Sequence, residues 1–406
     1  MQALSAKTKD FILQHRKENV RDLALKGSKD NDVDIQEAII QISGWQIASK
    51  KIPSWAATEN LLYPRHLSME QCSSEITSRY KASLVNGENF ADLTAGFGVD
   101  CSFLARGFKR ADYVERQKEL CEIARNNFDT LGLNHIRVHN TDGIEYLKEM
   151  QPVDCIFIDP ARRDGNGDKT VAISDCEPDI CALEELLVSK GKTVMVKLSP
   201  MLDILSAIRD LKHTKEIHII SVNNECKELL VLLDKSVIND NAKHNHIPLY
   251  CCQLRNNQEA EIFRFCYAEE KSADCTYTNT LANYLYEPDA ALLKAGAYRL
   301  LSSRLNTMQL SANSHLYTSP ALVNFPGRRF KVEGFSSFGK KEIKTLLKDV
   351  AQANITVRNF PATVAEIRKR LKLKDGGNIY LFITTLNNGD KVVIKCTKVN
   401  TALASE

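Results

Sequence analysis

The stretch Asp92-Leu-Thr-Ala-Gly96-Phe-Gly98-Val-Asp100 constrains the fold more than any other part of the sequence. An apolar run, FADLTA, leads into two glycines one residue apart, and glycine tolerates the backbone conformations that bring a chain close to a ligand. A turn of this kind at a strand end predicts a parallel, helix-covered sheet with a flat, polar ligand lying across the strand ends. A dinucleotide site wants a third glycine at position 101, where the chain has Cys101. Asp92, just ahead of the glycines, would repel phosphate and suits a cationic amine.

The surrounding sequence keeps the matching rhythm. Short apolar runs at FADLTA, ADYVE, IRVHN, DCIFID, TVMVKL and EIHIISV alternate with amphipathic segments such as QKELCEIARNNFDTLG, where Gly132 marks a stop. The run KELLVLLDKSV fits either an antiparallel strand returning to the sheet or a buried helix. IPLYCCQL and AEIFRFCYA read as two further strands. Ahead of the sheet, Ile35, Ile39, Ile42 and Ile47 recur at helical spacing. Ser68 with Gln71 predicts a capping box opening the helix that feeds the first strand. Breaks at SADCTYTNT and at the Pro-Gly of NFPGRRF divide the chain into a helical region at 1–66, a sheet domain at 67–271, a small helical or α+β connecting domain at 272–326 and a basic unit at 327–406. The last unit reads as helix, strand, helix and a hairpin turned by Asn-Asn-Gly.

Composition narrows the classes. With 406 residues, 43% hydrophobic and 26% charged, the chain is neither disordered nor collagen-like. No apolar run approaches the ~18 residues of a membrane span, and the start lacks a signal-like apolar core, so a cytoplasmic protein without membrane contact is expected. The 12 cysteines contain no CxxC pair, and the spacing of His244, His246, Cys251 and Cys252 fits no common zinc pattern, so neither a disulfide scaffold nor a structural metal is expected. Net charge is only +3, yet from Arg328 to Lys374 there are 13 Lys and Arg against 4 Asp and Glu. That asymmetry favours a polyanion partner.

Three successive strands end near acids. Asp92 precedes the glycines, Glu115 closes ADYVE where a carboxylate can accept both hydroxyls of a ribose, and Asp142 follows IRVHN. The arrangement resembles class I S-adenosylmethionine-dependent methyltransferases over about Ser68 to Leu233. The resemblance implies a Rossmann-like seven-stranded sheet with an N-terminal helical cap and small α+β C-terminal domains. By that resemblance, Thr94, Gly96 and Gly98 pass beneath the methionine part of the cofactor, Asp92 and Asp100 lie near its amine, Glu115 holds the ribose and Asp142 reads the adenine.

The fourth strand ends in Asp159-Pro160-Ala-Arg162-Arg163, which resembles the substrate-facing motif of methyltransferases acting on nucleic-acid or protein nitrogens. Asp159 would border both cofactor and acceptor, Pro160 stiffens the turn, and Arg162 and Arg163 could grip phosphate. The usual aromatic that stacks a flipped base is missing. Asp-Pro-Ala-Arg-Arg, the EQCSSEITSRYKA helix and the basic C-terminal unit together resemble a bacterial methyltransferase family with a THUMP-like C-terminal domain. RNA is the substrate this implies, with Arg328 and Arg329 among the candidate contacts. Lys81, Asp159, Lys197 and Glu225 or Glu228 resemble the tetrad of ribose 2′-O-methyltransferases, in which ammonium groups flank a carboxylate and stabilise a forming alkoxide. Covalent C5 chemistry is disfavoured, since Cys155 lies inside an apolar strand. The reading is therefore an RNA methyltransferase working by direct in-line transfer. Alternatives are a protein or small-molecule methyltransferase and an inactive RNA-binding protein.

Overall fold

The computed structural model describes residues 4–28, 30–162, 173–239, 244–256 and 258–399. The chain forms two compact units that do not follow sequence order: residues 1–217, 228–244 and 254–258 make the first, and 218–227, 245–253 and 259–406 the second.

The first unit is built on β1 (Gly87–Asp92), β2 (Phe108–Val114), β3 (Ile136–His139), β4 (Val153–Ile158) and β5 (Gly191–Leu198). Two further strands, β6 (Thr214–Val222) and β7 (Glu225–Asp234), straddle the division between the units. Neighbouring pairs place β1 between β2 and β4, β3 beyond β2, and β5 beyond β4, all parallel. The Leu229–Asp234 part of β7 runs antiparallel against β5. KELLVLLDKSV is thus the returning strand. Six consecutive buried residues, Glu228 to Leu233, leave no polar face of the kind a surface helix needs. Parallel pairing puts the ends of β1, β2, β3, β4 and β5 along one edge, which collects Asp92, Glu115, Asp142, Asp159 and Lys197 there.

The N-terminal region is helical, over Ala6–His15, Val20–Lys26 and Ile35–Lys51. Ser5, Asn19 and Asp34 cap these helices by accepting backbone N–H bonds. Trp55, Leu61, Tyr63 and Met69 carry the region into one core with Phe97, Val99, Phe103 and Ile123 of the sheet domain. Two side-chain amides fix the extended segment between them. Asn127 pairs with both backbone groups of Leu62, and Gln41 with both of Tyr63, all four bonds at 2.9 Å. The expected capping box is displaced. Ser68 lies inside the short helix His66–Gln71, and extended backbone at Cys72 separates it from Glu75–Ala82, whose cap is Ser74 bonding Thr77 N–H.

The second unit holds a seven-stranded sheet in the order Met308–Gln309, Tyr317–Ser319, Tyr284–Pro288, Gly327–Ser337, Lys391–Lys398, Ile379–Thr385, Asn354–Arg358. The sheet is continuous across residue 326, because Tyr284–Pro288 pairs with Gly327–Lys331. Gly327–Ser337 is a long strand that sequence reading passes over as a boundary. The connecting region holds two short helices, Ala290–Ala295 and Arg299–Leu305, the first ending at Gly296, whose φ is +75°. The Asn-Asn-Gly hairpin forms between Ile379–Thr385 and Lys391–Lys398. Among the described residues no helix is long and apolar enough to cross a membrane.

Gly44, in the third helix, is where the Tyr63 segment comes closest. A Cβ there would lie 2.2 Å from Tyr63 Cβ. Gly44→Ala should lower stability by about 1–3 kcal/mol through overpacking, despite alanine's better helix propensity. Urea unfolding of wild type and variant checks this, and equal midpoints would contradict the packing described.

Candidate functional site

The turn after β1 is shaped by its glycines. Gly96 and Gly98 have φ of +53° and +87°, and Gly98 opens the helix Val99–Leu104. A Cβ at Gly98 would press on Phe128 at 3.1 Å and Tyr113 at 3.2 Å. At Gly96 the nearest neighbour of such a Cβ is Thr94 O at 3.9 Å, so space is open beside it. Phe97, between them, is buried with its ring 5.1 Å edge-on from Trp55, which ties the turn to the N-terminal helices. Tyr113 hydroxyl donates to Gly96 O at 2.5 Å from below. Gly143 brings a second backbone close. A Cβ there would fall 2.1 Å from Leu93 O, a contact the sequence reading did not anticipate.

The acids around this turn have distinct surroundings. Glu115 is buried, with Oε2 accepting Gly96 N–H at 3.1 Å and Oε1 accepting Gln117 N–H at 2.7 Å. Its carboxylate is fixed directly beside the glycines. Asp142 is exposed and caps the helix Gly143–Glu149, its Oδ1 accepting Ile144 N–H at 2.8 Å. Asp92 is buried, its Oδ1 accepting Thr94 N–H at 3.1 Å. Its Oδ2 finds no partner among the described residues. Burial pushes the Asp92 carboxyl well above its ordinary range, with the nearby charges of Asp100 and Asp159 acting in the same direction.

Beside the turn lies a buried chain of alternating charge. Lys81 has no exposed side chain and contacts Glu228 Oε2 at 3.0 Å, Asp100 Oδ1 at 2.9 Å and Ser73 Oγ at 3.1 Å. Asp100 also accepts the hydroxyls of Ser73 and Ser78, each at 2.6 Å. Lys197 lies 3.8 Å from Asp100 Oδ2 and 2.5 Å from Asp159 Oδ2. Asp159, 36% exposed, opens to solvent, and its N–H donates to Thr94 Oγ1 at 2.7 Å. Burial alone would raise the Asp100 carboxyl, but Lys81 and Lys197 outweigh it and hold the group at about 2. Burial opposes the Lys197 charge too, and Asp159, Asp100 and Glu228 together raise it above the ordinary lysine value.

The geometry corrects several expected roles. Lys81 reaches no ligand, because it is sealed among Glu228, Asp100 and Ser73. Asp100 turns both oxygens into this cluster. Of the two acids considered with Lys81, Glu228 joins this cluster, while Glu225 pairs with Lys227 at 2.6 Å. In the second unit Arg329 is buried and donates to Asn324 Oδ1 at 3.1 Å, so it cannot face a substrate. Arg328 pairs with the buried Glu287, which also receives Arg358 at 3.0 Å. Pro160 follows β4 directly, as expected. The side chain of Arg162 and all of Arg163 lie outside the described residues. Cys155 is buried in β4, where burial raises its thiol, in keeping with an inert role. Ser73 and Ser78 were missed; Ser78 lies three residues before Lys81 in the helix Glu75–Ala82, a spacing that was the available signal, whereas Ser73 precedes the helix cap.

The fold has relatives among solved structures. A crystal structure of a candidate methyltransferase from Porphyromonas gingivalis W83 matches with a TM-score of 0.87 and 33% identity, covering 98% of this chain and 100% of that one. The chain is a class I methyltransferase with a THUMP-like C-terminal domain. Family models match at residues 70–218 (conserved hypothetical protein 95), 284–326 (ferredoxin-like domain) and 327–398 (THUMP domain-like). M. capricolum TrmK, solved with S-adenosylhomocysteine, shares 16% identity over 41% of this chain and 71% of its own, at a TM-score of 0.33. An rRNA methylase from Streptococcus thermophilus shares 13% over 39% and 94%, at 0.30. Among proteins of curated function none matches. The open face at Gly96, the unpartnered Asp92 Oδ2 and the fixed Glu115 carboxylate fit S-adenosylmethionine as the group such a site would hold.

The Asp100 cluster makes stability depend on acid. Asp100 titrates lower when folded than unfolded, so its contribution is complete above the unfolded value near 4 and is lost as pH falls towards 2. The contribution is about 2 kcal/mol. In chemical denaturation between pH 5 and 2, Asp100→Asn should flatten this acid loss; an unchanged slope would contradict the ion pairing.

Proposed function

We propose that this methyltransferase acts on RNA, transferring a methyl group in line to a nitrogen of a base. The observation that carries the reading is the meeting of Glu115, Asp92 and the Gly96 turn with the Asp159–Lys197 pair on one sheet edge. Glu115 is placed to accept the ribose hydroxyls, with Thr94, Gly96 and Gly98 shaping the adjoining wall. Asp92 suits the methionine amine and Asp142 the adenine. When bound, S-adenosylmethionine supplies an electrophilic methyl on a sulfonium.

Asp159 then orients the acceptor by taking a hydrogen bond from it. Positioning of this kind, rather than covalent chemistry, supplies most of the acceleration. Asp159, Asp100 and Glu228 favour the ammonium form of Lys197, which is poorly suited to taking a proton from a ribose hydroxyl. A base nitrogen needs no such proton removal before attack. This favours nitrogen over the 2′-oxygen that the tetrad resemblance suggested.

RNA as the partner is supported by the THUMP domain-like match and by charge. Lys340, Lys341, Lys344, Lys348, Lys369, Lys372 and Lys374 are all exposed. A solvated lysine surface of this density attracts phosphate through release of condensed counterions.

Calorimetry and single-turnover assays test the site. Glu115→Ala should weaken S-adenosylmethionine by about 1.5–3 kcal/mol, the scale of charge-assisted bonds. Asp159→Asn should preserve cofactor affinity and slow transfer by about 100-fold or more. Lys197→Ala should cost about 10- to 100-fold through lost positioning, whereas near-complete loss would favour the 2′-oxygen. Normal transfer by Asp159→Asn would sink the assignment.

Salt titration of RNA binding tests the partner. Replacing Lys340, Lys341, Lys344, Lys348, Lys369, Lys372 and Lys374 by glutamine removes exposed positive charge without cutting the sheet, so the slope of log affinity against log salt should become shallower. Equal affinity and slope in this variant, with its cofactor affinity retained, would exclude the basic segment as the RNA contact.

A further inference from the structure

Asp100 is surrounded more completely than a cofactor ligand should be. Ser78 and Lys81 meet Oδ1 at 2.6 and 2.9 Å, while Ser73 and Lys197 meet Oδ2 at 2.6 and 3.8 Å. A carboxylate offers about four lone-pair sites; three of these contacts are hydrogen bonds, and the Lys197 ammonium at 3.8 Å adds its charge. Three of these partners come from one short stretch, Ser73 to Lys81, and the fourth is Lys197 near the end of β5. On its far side Lys81 is neutralised by Glu228 at 3.0 Å. On its far side Lys197 grips Asp159 at 2.5 Å. Glu228, Lys81, Asp100, Lys197 and Asp159 therefore alternate in sign from the interior to the open strand edge, and only Asp159 is substantially exposed.

We propose that Asp100 is a positioning residue: Ser73, Ser78 and Lys81 fix it as an anion that anchors the Lys197 ammonium, and Lys197 in turn holds the Asp159 carboxylate towards the methyl acceptor. The proposal rests on the reading of Asp159 as the group that faces the acceptor. Without the anchor, Lys197 keeps one fewer carboxylate and a looser hold on Asp159. The arrangement also explains a buried lysine at position 81 that touches no ligand: it compensates Asp100 from within.

Lys197 is faced by Asp159, Asp100 and Glu228, with the Asp92 carboxyl, the Lys81 ammonium and the Cys72 thiol close enough to interact electrostatically or through these groups. Removing the Asp100 charge leaves fewer anions to retain the Lys197 proton. The ammonium then deprotonates at lower pH. A guanidinium in its place stays charged throughout.

The test uses the full chain as wild type, Asp100→Asn and Asp100→Asn with Lys197→Arg. Acetic anhydride labelling at a series of pH values, read at Lys197 by peptide mass spectrometry, reports its proton. Calorimetry reports S-adenosylmethionine affinity. Methyl transfer at saturating cofactor is measured into an extract of cells lacking the gene, with and without ribonuclease treatment. For Asp100→Asn the expected results are cofactor affinity within about 2-fold, transfer slower by about 10-fold or more, an alkaline loss of rate absent from wild type, and Lys197 labelling at lower pH. Adding Lys197→Arg should remove the alkaline loss.

Cofactor affinity weakened by about 10-fold with saturated transfer unchanged would make Asp100 a cofactor ligand and overturn the proposal. Unchanged labelling of Lys197, or unchanged transfer and pH profile, would overturn it as well. Transfer that survives ribonuclease defeats the RNA reading alone, because the ratio between variant and wild type is still measured. Should Asp100→Asn fail to fold, Ser73→Ala with Ser78→Ala keeps every charge and should shift rate and labelling in the same direction by a smaller factor.

Discussion

A carboxylate buried at Asp100 imposes the strongest constraint on the first unit. An isolated buried ion is too costly to persist, and this one is retained only because two ammonium groups and two hydroxyls converge on it. Those partners lie on the segment Ser73 to Lys81 and on β5, while the compensating Glu228 is on β7. The glycine turn, the helix before β1 and two strands on its other side must therefore assemble together. Hydrophobic burial favours compactness here as elsewhere, but the charges specify which elements meet and in what register. A buried pair broken on one side is more damaging than one never made, so the chain is committed to the full set.

Sequence reading recovers the sheet because its signals are local. Apolar runs bounded by turn residues predict β1 to β5, and the glycines with φ of +53° and +87° mark the loop that approaches a ligand. Parallel pairing then brings the acids to one edge without any knowledge of contacts. The identity of each acid's partner is a different matter. Asp92, Asp100, Glu115 and Asp142 look alike in sequence, yet one has an unpartnered oxygen, one is enclosed by two hydroxyls and two ammonium groups, one braces the glycine turn and one caps a helix. The helix cap is a local matter, but the surroundings of Asp100 and Glu115 depend on residues far away in the sequence.

The same limit governs the basic segment. A count of lysines and arginines treats Arg328 and Arg329 as equals of Lys341 or Lys372. In the folded sheet, Glu287 recruits Arg328 and Arg358, and Arg329 turns inward to Asn324. Arginine's fork geometry suits it to such buried pairing, whereas the lysines remain solvated. Composition correctly places positive charge in the C-terminal unit, but only exposure separates charge that can meet a phosphate from charge already committed. The displaced helix cap has a related cause. Ser68 with Gln71 satisfies the capping-box pattern, yet the helix before β1 begins after extended backbone at Cys72 and is capped by Ser74, which has Thr77 three residues on.

Phe97 shows how the N-terminal helices bear on chemistry they do not perform. Its neighbours in sequence are glycines free to adopt left-handed backbone, and a loop of such residues would ordinarily sample many conformations. Its ring, however, is packed into the core formed by Ala48, Ile52, Trp55, Leu61, Tyr63 and Met69. Gln41 and Asn127 hold the intervening Leu62–Tyr63 backbone through paired amide bonds, so this core is itself rigidly placed. The freedom that the glycines provide is thereby spent on one shape, and the N–H of Gly96 is kept against Glu115. The helical region thus acts as the support of the glycine turn, which gives a physical reason for residues more than thirty positions upstream to share one folding unit with it.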